Sequence, residues 1–306
     1  MPGAKAGPRA GGSLWWNLGG GGFLIARGGM PARRKERVMA TRKPSQLAVT
    51  LYTLRDFCNL REDIVRTLAR VRAIGYANIQ ISGKGLMEVH PPDLRKMAED
   101  AGLTIIGSHI ALAMFRDGLK NTIWRLHQWE CPYAAIPWLP PEERATLEDW
   151  KARAREFSAL GRVLAGEGIT LQYHNHNFEF QKFGGRGGVG GRTGLDVLYR
   201  HSDPRWLQAE IDVAWVSRGG GDPAAWCLRV KGRMDQVHLK DWAIVGGEPV
   251  WTEVGEGNLN MPAVLRACKA AGVRTYIVEQ DLWPATNDPF KSIEISLKNL
   301  RKMGMR

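Results

Sequence analysis

The chain predicts a (β/α)₈ barrel, and three observations carry that expectation. Eight short runs rich in β-branched and apolar residues recur from residue 47 onward. Longer stretches of helical period separate them, as parallel strands require of their crossovers. The 260 residues from 47 to 306 are close to what eight such units need.

In order, the runs are LAVTLYT (47–53), YANIQIS (76–82), LTIIGSH (103–109), YAAIPWL (133–139), ITLQYHN (169–175), LQAEIDV (207–213), MDQVHLK (234–240) and TYIVEQD (275–281). Between them lie helical patterns such as NLREDIVRTLARVRAIG, PPDLRKMAEDAG, TLEDWKARAREFSALGRVLAGEG and MPAVLRACKAAG. Their closing glycines suit helix C-termini, and Pro91, Pro92 and Pro262 suit first helical turns. A doubly wound open sheet would place a GxGxxG turn after the first strand, and none is present. The glycines of KFGGRGGVGGRTG (182–194) are too irregular for a phosphate cradle and predict a flexible loop.

Residues 1–46 differ from the rest. They carry nine Lys or Arg against one Glu, a net +8 of the chain's +12, leaving +4 for the remaining residues. With ten glycines and no apolar period, this stretch predicts a disordered basic tail ahead of a barrel spanning 47–306, and Met39 is a candidate start of translation. A charge concentrated there is weak support for nucleic acid as a partner. No apolar run is long enough to cross a membrane. The four cysteines are widely spaced, which predicts scattered reduced thiols and a cytoplasmic chain.

The reaction face of such a barrel lies at the C-terminal ends of its strands. There the fifth to eighth runs carry His174, His176 and Glu179, then Asp212, then His238 and Lys240, then Glu279. Buried charges without partners cost several kcal/mol or more, so these residues ask for a shared counter-ion. One divalent metal ion answers that need: Mn²⁺ first, with Mg²⁺, Co²⁺ or Zn²⁺ as alternatives. Taken singly, each has a plainer explanation, such as a hydrogen-bonded core histidine, a helix cap at Asp212, or a rim ion pair of Lys240 with Asp241. Trp138, Trp215 and Trp242 lie near strand ends, where tryptophan is also ordinary rim packing.

The motifs YHNHNFEF, EIDVAWVSRGG, VHLKD, EVGEGNLN and YIVEQD, with LYTLRD near the start, together resemble sugar phosphate isomerase/epimerase proteins of the xylose-isomerase-like TIM-barrel superfamily, over about residues 47–303. The variant looks closest to the inosose-dehydratase-like and keto-sugar branches. The resemblance implies a metal held by Asp212, His238 and Glu279, plus a fifth-strand residue that is either His174 or Glu179. Glu179 is preferred because a hard cation favours a third carboxylate. It further implies proton abstraction beside a metal-bound carbonyl, with Glu179 and Glu279 as ligand and base. His109 and Lys240 would polarise or protonate substrate oxygens, and His174, His176, Trp138 and Trp215 would contact substrate. The expected substrate is an unphosphorylated sugar or keto-sugar, undergoing isomerisation, epimerisation or dehydration; many relatives are homo-oligomers. Two other readings compete. A non-catalytic sugar-binding barrel would not need intact ligands. An abasic-site endonuclease would need extra histidines, yet Trp215 stands three residues after Asp212.

Overall fold

A computed structural model describes residues 45–186 and 189–306. Eight strands form the wall: β1 (Leu47–Thr50), β2 (Asn78–Ile81), β3 (Thr104–His109), β4 (Tyr133–Ile136), β5 (Thr170–His174), β6 (Leu207–Asp212), β7 (Gln236–Leu239) and β8 (Thr275–Val278). Neighbours pair in chain order, all parallel, and β8 closes on β1 with Leu47 opposite Tyr276. Each predicted run contains one of these strands. The runs were drawn too long at their ends; after Thr50 the chain tightens into a 3₁₀ segment, Leu51–Phe57.

The helices follow their local signals. Arg61–Ile74 ends at Gly75 (φ 117°) and Met261–Ala271 at Gly272 (φ 95°), in the left-handed region where a side chain would be strained. Pro91 opens Pro91–Asp100, and Thr146 and Asp149 form a reciprocal capping box on Leu147–Gly166. Apolar faces of strands and helices pack into one core, with Trp129, Trp150, Tyr76 and Phe157 among its largest side chains.

Gln46, at the end of the predicted tail, is tied to the barrel: its N–H donates to Arg306 O at 2.8 Å and its O accepts from Tyr276 N at 2.9 Å. The rest of the predicted tail, 1–44, lies outside the described residues. Two expectations need correction. The glycine-rich stretch is an antiparallel hairpin, Lys182–Arg186 with Val189–Thr193. Its glycines permit close approach: a Cβ on Gly191 would lie 1.8 Å from Phe183 O, and one on Gly194 would lie 2.3 Å from the Trp150 ring. Finally, Cys227 and Cys268 are not scattered; two helices bring their Sγ atoms to 3.5 Å, and all four cysteines are buried free thiols.

A second hairpin, Asp241–Val245 with Glu248–Thr252, follows β7 and turns at Gly246 and Gly247, both with positive φ. Among the described residues no helix is long and apolar enough to cross a membrane. The barrel interior is polar. Gln80, Gln172, Glu210, Gln236 and His238 are buried on its strands, and Gln80 Nε2 donates to Glu210 Oε1 (2.7 Å) across the interior from β2 to β6.

Candidate metal and substrate site

Strand alternation places Glu210 and Asp212 on the same side of β6, and His238 and Lys240 on the same side of the β7 end. The sequence motifs take distinct tasks. In the HNH triplet, His174 faces the barrel mouth, while Asn175 Oδ1 accepts from the Asp212 N–H at 3.1 Å and fastens β5 to β6. His176 packs edge-on to His174 and beside Trp215.

His174, Asp212, His238 and Glu279 each present a ligand atom, all within 4.8 Å of one another, and all four are buried. His238 Nδ1 is 2.9 Å from Glu279 Oε2, and His174 Nε2 is 3.9 Å from the same oxygen. These residues suit a divalent cation. Asp212 Oδ2 is buried without a hydrogen-bond partner, and its nearest cation is the Lys240 ammonium at 3.1 Å. A mixed set of two carboxylates and two imidazoles with no thiolate fits the first-row divalent ions.

Among the described residues Glu179 belongs to no such group. The turn Phe178–Phe180 folds its carboxylate back beneath the loop, where it accepts from Tyr173 OH (2.8 Å) and from the His176 N–H (2.9 Å). Burial pushes its pKa up to about 8 despite those bonds. Of the two fifth-strand alternatives, His174 lies with the other candidate ligand atoms, while Glu179 is held by two nearby donors.

Lys240 is surrounded by carboxylates. Fully buried, its Nζ lies 3.1 Å from Asp212, 3.0 Å from Glu279 and 2.8 Å from Asp281. Burial alone would lower its pKa, but the three carboxylates outweigh that and hold it cationic. It does not pair with Asp241, whose carboxylate instead accepts from the N–H groups of Trp242, Gly255, Gly257 and Leu259. That cage joins VHLKD to EVGEGNLN, and it requires glycine at 257, where a Cβ would lie 2.2 Å from Asp241 Oδ1.

The remaining charges are set by their neighbours. Burial opposes charging His238, yet Glu210 and Glu279 raise it to about 10. Burial and the Lys240 charge lower His176 to about 3, and burial with the neighbouring His238 holds His174 well below the usual imidazole range. Burial would raise Glu279, but Lys240 and His238 hold it well below the ordinary carboxylate range.

A cavity of about 210 Å³ opens over the cluster, walled by Tyr52, Ser82, Trp138, His176 and Asp281, with His109, His174 and Glu279 at its base. Trp138 thus stands at the opening. Trp215 does not line this cavity; it stacks edge-on with Trp251 and flanks the Lys240 ammonium. His109 reaches the cavity floor with Nε2 on Glu210 Oε2 (2.9 Å) and Nδ1 3.3 Å from Ser82 Oγ.

Glu210, Gln80 and Asp281 were absent from the expected set. Glu210 and Asp281 stand two residues from Asp212 and Glu279, so strand period alone placed each on the same face.

A sequence model described as xylose isomerase-like TIM barrel matches residues 68–303. The rhizopine catabolism protein MocC of Rhizobium meliloti is 26% identical over 176 residues, covering 51% of this chain and 50% of that protein. An inosose dehydratase of Geobacillus thermodenitrificans is 26% identical over 164 residues, covering 48% and 52%. The chain thus spans about half the length of the curated relatives it matches. A crystal structure of a sugar phosphate isomerase/epimerase from Parabacteroides distasonis superposes with a TM-score of 0.72 at 25% identity, covering 85% of this chain and 98% of that one. An L-ribulose 3-epimerase shares the fold, with a TM-score of 0.64 at 16% identity over 85% of this chain and 94% of that one. With about three quarters of its length matched by the family model and the barrel closed as that model requires, the chain belongs to the xylose isomerase-like TIM barrel family.

Proposed function

We propose that the chain is a divalent-metal-dependent enzyme that moves a proton at the carbon beside the carbonyl of an unphosphorylated sugar or keto-sugar. The observation that carries it is the convergence of His174, Asp212, His238 and Glu279 beneath a small open cavity. Mn²⁺ suits this set, and the exchange of a carboxylate for His174 widens the choice toward Co²⁺ and Zn²⁺ and away from Mg²⁺. When bound, the ion supplies Lewis acidity that lowers the cost of negative charge on the substrate carbonyl.

Glu279 is the base. Its carboxylate borders the cavity and stays anionic because Lys240 and His238 stabilise its charge. His176, kept neutral by burial and the Lys240 charge, faces the same cavity and can hydrogen-bond a substrate oxygen. Lys240 is a positioning residue, fixing Asp212 and Glu279 relative to one another. His109 has partners on both ring nitrogens and orients rather than transfers.

Substrate class follows from the walls. Among the described lining residues none is Lys or Arg, and the nearby Lys240 ammonium is already held by Asp212, Glu279 and Asp281, which favours an unphosphorylated ligand. At about 210 Å³ the space is below the usual range of drug-sized ligand sites and suits nothing larger than a single monosaccharide or inosose ring, with Trp138 as the stacking face. A cytoplasmic, small-molecule enzyme with homo-oligomeric relatives fits this reading; the MocC and inosose dehydratase relatives favour the keto-inositol end of the range.

The test incubates the full chain, loaded with Mn²⁺, with keto-sugars and inososes in deuterated water. Incorporation of deuterium beside the carbonyl supports the proposal. Exchange with a rearranged sugar marks an isomerase or epimerase, and loss of water marks a dehydratase. Binding with no exchange for every ligand would make it a binding protein and end the proposal.

A further inference from the structure

Beneath the cluster just described lies a second one, and it centres on Glu210. One oxygen of that buried carboxylate is occupied by Gln80. The other is approached by three imidazoles: His109 Nε2 at 2.9 Å, His238 Nε2 at 3.4 Å and His174 Nδ1 at 3.7 Å. The three ring centroids are 4.6–5.2 Å apart. Only the first of these nitrogens is at a normal hydrogen-bond distance. These three nitrogen–oxygen distances bracket the ~3.3 Å ligand–ligand edge of a tetrahedron whose metal–nitrogen and metal–oxygen bonds are about 2.0–2.1 Å, and the four ligand atoms all lie within 4.8 Å of one another. His174 Nδ1 is buried with no hydrogen-bond partner and points into this space.

We propose that His109, His174, Glu210 and His238 form a second cation site, selective for a nitrogen-preferring ion of the zinc class. Three imidazoles and one carboxylate are a softer donor set than the two-and-two arrangement above it. The outer partners support it. Ser82 Oγ, 3.3 Å from His109 Nδ1, can accept that N–H and leave Nε2 free to ligate. His238 faces Glu279 with Nδ1 and Glu210 with Nε2. One neutral imidazole cannot give a lone pair to both sides, so the two positions are alternatives chosen by the His238 tautomer: Gln80 Oε1, 3.0 Å from Nε2, accepts its proton when the upper position is used. The inference shares two residues with the proposed catalytic site but does not depend on the reaction assigned there.

The experiment uses two reciprocal full-length variants and cobalt as a spectroscopic stand-in for zinc. Glu279→Gln breaks only the upper set, and His109→Ala only the lower. Folded Glu279→Gln, checked by thermal melting, should bind one Co²⁺ with an intense tetrahedral visible spectrum that vanishes when His109→Ala is added. His109→Ala alone should weaken Zn²⁺ binding by roughly 100-fold or more, above the ~10- to 100-fold of a mere outer partner, while Mn²⁺ affinity changes less than about threefold. Zinc and manganese weakened equally by His109→Ala, or a folded Glu279→Gln variant without the cobalt spectrum, would overturn the second site. The His109→Ala comparison decides the matter should Glu279→Gln not fold. Neither result bears on deuterium exchange, which tests the function separately.

Discussion

Lys240 Nζ lies 3.0 Å from Glu279 Oε2, an ammonium and a carboxylate both almost wholly out of water. Asp212 and Asp281 complete three acidic contacts to one cation. Removing one partner of a buried ion pair leaves the others uncompensated, at a cost of about 3–5 kcal/mol. Lys240→Met should therefore lower the melting temperature sharply in metal-free protein, and Mn²⁺ should restore part of the loss by supplying positive charge. A variant melting within a degree or two of wild type would show that the clamp is energetically idle.

Glu279→Gln keeps the shape of the side chain and removes the base. Proton-transfer groups typically contribute about 10²–10⁴ to rate, so deuterium exchange into substrate should fall by that factor or more. Wild-type exchange rates in this variant, followed by NMR at saturating Mn²⁺, would move the base elsewhere.

Metal binding should release protons. His238 is held near 10 by Glu210 and Glu279, and burial keeps Asp212 near 7 in spite of Lys240, so at neutral pH the empty cluster carries protons that a cation must displace. Affinity should rise about tenfold for each pH unit gained below His238's pKa, more steeply below 7. Calorimetric titrations in buffers of different ionisation enthalpy count the protons; a heat independent of buffer would contradict the scheme.

Glu179 makes the opposite kind of prediction. Its folded pKa of about 8 exceeds the unfolded value, so between about 4.5 and 8 the folded chain holds a proton that the unfolded chain lacks. Stability from this group is therefore greatest at low pH and declines as pH rises through that window, by on the order of a few kcal/mol. Glu179→Gln should remove that slope and leave metal affinity unchanged. Urea titrations at pH 5 and pH 8 read the first, and loss of metal binding would restore Glu179 as a ligand.

Asp241 accepts from four backbone N–H groups, three of them, at Gly255, Gly257 and Leu259, in the EVGEGNLN segment. Asp241→Ala leaves them without acceptors and should cost about 1–3 kcal/mol per donor that water cannot reach. Gly257→Ala should do comparable damage from the other side of the same contact. Amide exchange at residues 255–259 measures both; unchanged protection would mean the cage is not what orders the turn.

The barrel was legible because its strand–helix alternation and helix-ending glycines are local signals, and Asp212, His238 and Glu279 were legible because strand ends share one face. What escaped was geometry that no residue pattern states. Tyr173 and His176 lie only six and three positions from Glu179, but it is the turn at Phe178–Phe180 that brings the carboxylate back to them. Glu210 looked like one more acid in AEID until β2 and β3 brought Gln80 and His109 across the interior. The hairpin of 182–193 was obscured because its glycines serve backbone proximity, which no apolar pattern records.

The contact of Ser45 and Gln46 with Arg306 bears on engineering. It sits where the strands begin, away from the cavity, and puts two points 261 positions apart within a short peptide of each other. With that contact closing the barrel's base, a cut between Gly246 and Gly247 would keep every wall pairing and every metal-facing side chain, so the described barrel should tolerate being opened there.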